Sequence, residues 1–131
     1  MAKTAIEMVT EAGTQFEQAA PPACAEELAS GSAVLVDVRE AEEWRSGHID
    51  GSVSAPRGLL EFFADPTSPR HNAALDPSRR TVVVCASGAR AALAAVTLRE
   101  MGYGDVAVLA GGVKGWLAAG LPVNEHEYSG I

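Results

Sequence analysis

A chain of 131 residues, 47% apolar, 21% charged and only 5% aromatic, suffices for one globular domain with an aliphatic and alanine core, and excludes wholesale disorder. Seventeen acidic against ten basic residues leave a net charge of −7, which repels polyanions and argues against nucleic acid or anionic membrane as partners. Two cysteines, Cys24 and Cys85, make no disulfide framework.

No apolar run reaches membrane-spanning length, and residues 1–13, broken by Glu7, Thr10 and Glu11, lack the apolar stretch of a secretion signal. The expected setting is a reducing cytoplasm.

The pattern of residues predicts a short helix over 4–13 and a brief edge strand over 14–18, ahead of Pro21-Pro22. Residues 23–30 read as a helix that Gly31 ends. The unbroken aliphatic run at 33–37 is the mark of a strand covered on both faces. A helix over 40–46 follows, with acids at its start, Arg45 late and Gly47 as terminator. A short strand at 52–55 and a helix at 58–64 come next. Residues 65–80, with Pro66, Pro69 and Pro77, form the longest irregular stretch, either a mobile surface connection or a lid. Thr81-Val82-Val83-Val84 is the clearest strand. An alanine-rich helix over 89–101 is capped by Gly102, and a buried strand at 105–109 leads to a last helix at 112–119. Residues 124–131 are polar and expected to fray. This alternation predicts an α/β fold: a central, mainly parallel five-stranded sheet with helices on both faces. Sites on such sheets lie outside the carboxyl ends of the strands, which directs attention to residues 37–40, 56–58, 85–90 and 110–112.

The segment Cys85-Ala86-Ser87-Gly88-Ala89-Arg90 stands where a strand ends and a helix begins. Small residues and a glycine let the backbone curl around the sulfur, so that successive N–H groups point inward as an anion-binding nest. The start of the next helix adds partial positive charge, and Arg90 adds a full one. Each favours the thiolate, the nucleophilic form, without a general base. Against this stands a plainer reading of Cys85 as a small apolar residue closing a buried strand. Its place at the carboxyl end of the strand, with a glycine turn into a helix, favours the functional reading.

Three runs of residues together resemble a known family. Leu35-Val36-Asp37-Val38-Arg39-Glu40, Glu43-Trp44 and Gly47-His48-Ile49-Asp50-Gly51-Ser52 are similar to the N-terminal signature of rhodanese domains, and 85–90 resembles their active-site loop. Leu109-Ala110-Gly111-Gly112, Trp116 and Ala119-Gly120-Leu121-Pro122-Val123 resemble their C-terminal signature. The resemblance implies a single-domain rhodanese-like sulfurtransferase over residues 22–123, with 1–21 as an extension joined to it and 124–131 as a tail. It implies that Cys85 takes the sulfane sulfur of a small anionic donor such as thiosulfate, forming a persulfide, and passes it to a thiol, cyanide or protein acceptor. The amides of Ala86, Ser87, Gly88, Ala89 and Arg90 would hold the persulfide's charge, and Arg90 would help place the donor. No cofactor is implied.

Two alternatives follow from the same resemblance. One is a non-catalytic rhodanese-fold module for binding or regulation, against which the retained Cys85 and Arg90 speak. The other is a phosphatase or arsenate reductase, whose Cys-to-Arg loops resemble this one but hold one more residue, a wider ring suited to a tetrahedral oxyanion. The loop interior carries no cation, which speaks against thiosulfate as the preferred donor.

Weaker candidates have plainer readings beside the functional ones. Arg57, near a strand's carboxyl end, is read either as an anion-binding residue or as a solvated surface arginine. Asp37, Arg39 and His48 are expected to form a buried lattice, Asp37 with His48 and Arg39 with Glu43. Leu59, Leu60, Phe62 and Phe63, Trp44 and Trp116 read as packing residues. Cys24 reads as structural, and His48, His71 and His126 show no metal-ligand spacing.

Overall fold

The computed structural model of the chain describes residues 2–124. Local signals set most of its boundaries. The first helix, α1 (Ala5–Gly13), starts in a capping box: the Glu7 N–H donates to Thr4 Oγ1 and the Thr4 N–H donates to the Glu7 carboxylate. The next, α2 (Pro21–Ser30), begins on the proline pair itself, two residues before the expected start, because a first helical turn has no use for the missing N–H. Gly31 ends it with φ of 74°.

Five strands, β1 (Glu17–Ala19), β2 (Val34–Asp37), β3 (Val53–Ser54), β4 (Thr81–Val84) and β5 (Val106–Leu109), form one sheet in the order β1-β5-β4-β2-β3. Every pairing is parallel. The first strand is displaced towards the prolines from the expected 14–18, since pairing with β5 rather than local pattern sets its register. The remaining helices are α3 (Ala41–Ser46), α4 (Leu60–Ala64), α5 (Ala89–Glu100) and α6 (Gly112–Ala118), and a 3-10 turn at Arg57–Leu59 leads into α4. Among the described residues no helix is long and apolar enough to cross a membrane.

Side chains of the central strands alternate between two apolar layers. Val34, Val36 and Val83 join Leu60, Leu75, Ala91, Ala94, Ala95, Leu98 and Tyr103 on one face. On the other, Leu35, Val82, Val84 and Leu109 join Cys24, Ile49, Val113 and Trp116. Four buried alanines on α5 let that helix lie close against the sheet. Leu60 is fully buried and Phe63 packs on the first layer, but Phe62 is half exposed and is not core.

Residues 65–80 join the end of α4 to the amino end of β4, the edge opposite the strands' carboxyl ends. They are pinned rather than free: Leu75 is buried in the core, the Thr67 and Ser78 N–H groups donate to the Asp65 and Asp76 carboxylates, and the Asn72 N–H donates to Phe63 O. This connection caps the amino edge and does not form a lid over the carboxyl edge. At the amino edge, Arg80 reaches Glu17, Glu27 and Asp105 at 2.9–3.0 Å, tying together β1, α2 and the start of β5.

Candidate active site

The strand β4 is buried along its whole length and delivers Cys85 to the carboxyl edge of the sheet. The chain then turns into α5 through Gly88, whose φ of 125° is one that a side chain would resist. That turn aims amides at the sulfur: the Gly88 N–H donates to Sγ at 3.0 Å and the Ala91 N–H at 3.3 Å. Ser87 and Ala89 are exposed on the loop, whereas Cys85 is 1% exposed and counts with the apolar layer. The carbon atoms of Cys85 close a buried strand, and its sulfur faces the Gly88 and Ala91 N–H groups.

The outer face of the loop is held by the start of α6. The Val113 N–H donates to Cys85 O at 2.9 Å and the Lys114 N–H to Ala86 O at 3.1 Å. With these carbonyls turned outward, the loop's amides are left to turn inward. The contact needs Gly112: a Cβ there would lie 2.4 Å from Cys85 O and 2.6 Å from the carbonyl of Ala86. The sequence reading matched this glycine to a family signature but missed its role, because its constraint comes from a contact across 26 residues of chain.

Arg90 lies in the first turn of α5, and its guanidinium is engaged. It donates to both carboxylate oxygens of Glu43 on α3, at 2.8 and 3.1 Å. The Glu40 N–H donates to the same carboxylate at 3.1 Å. The Arg90 guanidinium thus holds the Glu43 carboxyl down at about 2, against the opposing effect of burial. Glu43 in turn holds Arg90 above its ordinary range.

The expected lattice beside the site is rewired. Asp37 pairs with Arg39 instead of His48, with Arg39 Nη2 at 2.8 Å and the Arg39 N–H at 3.0 Å, and Arg39 also donates to Gly47 O. His48 stacks on the Trp44 ring at 3.7 Å, with its Nδ1 2.9 Å from Trp44 O. Glu43, expected on Arg39, is the partner of Arg90. A two-residue spacing lets Arg39 fold back on Asp37, which frees Glu43 to face the loop.

The other candidates have partners of their own. Arg57 donates to Glu61 and, at 3.0 Å, to Thr97, two turns along α5 from Arg90. Cys24 sits in the layer on the opposite face of the sheet from Cys85, and burial pushes its thiol up to about 11. Trp116 is buried and donates to Pro122 O. Among the described residues no group of three or more His, Cys, Asp or Glu side chains could hold a metal ion, and His126 lies outside those residues.

Comparison with known proteins gives a consistent result. A sequence model of the rhodanese-like domain matches residues 20–119. The thiosulfate sulfurtransferase GlpE of Pseudomonas savastanoi is 35% identical over 105 residues, 80% of this chain and 91% of that protein. The probable adenylyltransferase/sulfurtransferase MoeZ of Mycobacterium tuberculosis is 34% identical over 82 residues, 63% of this chain; there the match spans only 19% of the longer protein. Among solved structures, a Rhodopseudomonas palustris protein described as of unknown function and a possible tyrosine phosphatase superposes with a TM-score of 0.84. It is 36% identical, and the match covers 95% of this chain and 96% of that one.

Proposed function

The chain belongs to the rhodanese-like domain family, and from that premise we propose that it is a sulfurtransferase whose sulfur carrier is Cys85. The observation that carries the reading is the pair of backbone amides, from Gly88 and Ala91, donating to Cys85 Sγ at the end of β4. Amides fixed in this way stabilise negative charge on the sulfur before and after it acquires a second sulfur atom.

In this reading the Cys85 thiolate attacks the outer sulfur of a donor such as thiosulfate. The donor's S–S bond breaks, sulfite leaves with the bonding electrons, and the new Sγ–S bond leaves a persulfide whose charge faces the loop amides. In the second half-reaction a thiophilic acceptor attacks the terminal sulfur and the thiolate returns; cyanide would leave as thiocyanate. This is covalent catalysis in two steps, with no metal or cofactor required. The free thiols of Cys24 and Cys85 fit a reducing compartment such as the cytoplasm.

The ring size supports sulfur over phosphate. Four residues separate Cys85 from Arg90, one fewer than in the loops that hold a tetrahedral phosphate. One observation favours a second reading, a non-catalytic binding module: the near-complete burial of Cys85. Intact-protein mass spectrometry after incubation with thiosulfate, or with an alkyl persulfide, separates the two. The catalytic reading expects one added sulfur atom on the wild type and none on Cys85→Ser. A wild type that gains no sulfur from either donor refutes catalysis.

A further inference from the structure

An arginine at the end of a cysteine loop is a natural receptor for an anionic donor, yet here its guanidinium is already paired with a carboxylate. Both terminal nitrogens of Arg90 donate to the Glu43 carboxylate, and Glu43 is fixed in turn by the Glu40 N–H. A carboxylate placed this way opposes the arginine's field at the loop, and the cancellation grows more complete with distance from the pair. The remaining groups around the sulfur do not replace it. Ala86, Ser87, Gly88 and Ala89 carry no charge, Asp37 and Arg39 cancel each other, and the protein as a whole carries −7. Lys114 meets the loop through its backbone N–H, with its side chain exposed. Polar stabilisation at the sulfur is therefore left mainly to main-chain dipoles, which suit one negative charge on a sulfur better than the two of thiosulfate.

We propose that Glu43 is a donor-selecting residue: by masking Arg90 it tunes the loop to an alkyl persulfide and against dianionic thiosulfate. The proposal rests on the sulfurtransferase reading and names its substrate class. The step balances simply. The Cys85 thiolate attacks the outer sulfur of R–S–SH and the donor's S–S bond breaks. The alkyl thiolate leaves with the electron pair and takes its proton from solvent, and Cys85 keeps the sulfane sulfur together with the donor's sulfur-bound proton or, at higher pH, its charge.

The test compares wild type with Glu43→Gln, which keeps the shape and an acceptor for the Glu40 N–H, and with Glu43→Ala as a second variant. Rates of sulfur loading on Cys85 are measured by mass spectrometry with two donors: thiosulfate, and the persulfide of mercaptoethanol, whose only ionisable group is its sulfur. The wild type is expected to load faster from the alkyl persulfide. Unmasking Arg90 should raise the thiosulfate rate on the order of tenfold, the effect of one unit charge in a partly solvated site. The alkyl persulfide rate should change by less than about threefold, since that donor gains little from a free cation. An independent readout is the ratio of iodoacetate to iodoacetamide alkylation at Cys85, which reports the local potential and should rise in both variants. A parallel fall with both donors and an unchanged alkylation ratio would assign Glu43 a merely structural role and overturn the proposal. Faster wild-type loading from thiosulfate would overturn it too. If neither donor loads the wild type while the alkylation ratio still rises, the sulfurtransferase reading fails and donor selection fails with it, but the charge masking stands as measured.

Discussion

Substituting Gly112 by alanine tests how far the loop depends on the helix behind it. The added Cβ would sit 2.4 Å from Cys85 O and 2.6 Å from Ala86 C and O, about 1 Å short of an ordinary contact, and the obstructing atoms are backbone. The same glycine has φ of 64°, where a side chain costs about 1–2 kcal/mol. Relieving the overlap must push the loop outward or move α6, and forced overpacking of this kind costs a further ~1–3 kcal/mol. The expected loss is therefore about 2–5 kcal/mol of unfolding free energy by urea titration. Moving the loop also weakens the bonds from the Val113 and Lys114 N–H groups to Cys85 O and Ala86 O, and so misaims the amides at Sγ. A misplacement of this size lowers a well-oriented reaction by roughly 10²-fold, to be read as the rate of sulfur loading on the folded variant. Gly31→Ala is the control: φ there is 74°, but nothing lies within 4 Å of the added atom, so only the conformational cost applies and loading is unchanged. If Gly112→Ala matches Gly31→Ala in both stability and loading rate, the idea that α6 braces the loop is wrong.

Two further predictions concern charge. Arg80→Ala removes one guanidinium from three carboxylates, Glu17, Glu27 and Asp105, and is expected to cost about 1–2 kcal/mol, a modest figure because the carboxylates are partly solvated. Urea titrations at low and at molar salt should show the cost shrinking with salt; a salt-independent loss would mean that packing of the arginine stem dominates. The Glu43 carboxyl is held at about 2 in the fold against 4.5 in the free group. A depressed value of this kind contributes stability above the unfolded value, and that contribution is lost as pH falls through the folded one. The stability gap between wild type and Glu43→Gln should thus hold steady down to about pH 5, shrink below it, and close near pH 2. A gap that closes already at pH 5 would show that the carboxylate is not held by Arg90.

Local patterns carried most of the architecture. The aliphatic runs at 34–37 and 81–84 could only be central strands, and Gly31 could end α2 because only glycine enters its backbone region without cost. The sulfur loop was legible for the same reason: a strand, a cysteine, a glycine turn and a helix are adjacent in sequence. What could not be read was anything that depends on contacts between distant segments. Glu43 and Arg90 are 47 positions apart, and nothing in either neighbourhood favours that partner over Arg39, which is nearer in the chain. Arg57 has the right address beside the end of β3, but its side-chain partners, Glu61 on α4 and Thr97 on α5, could not be read from its neighbourhood, since Thr97 lies 40 positions away. The start of β1 was misjudged because an edge strand of three residues owes its register to its neighbour rather than to its own sequence.

The two margins of the sheet are its shortest strands, three residues in β1 and two in β3, while the four-residue strands run through the middle. A foreign chain trying to extend the ladder sideways would find only a rung or two to grip, which protects the protein from edge-to-edge association. The cysteine loop, by contrast, leaves the sheet from β4, a central strand set away from both margins.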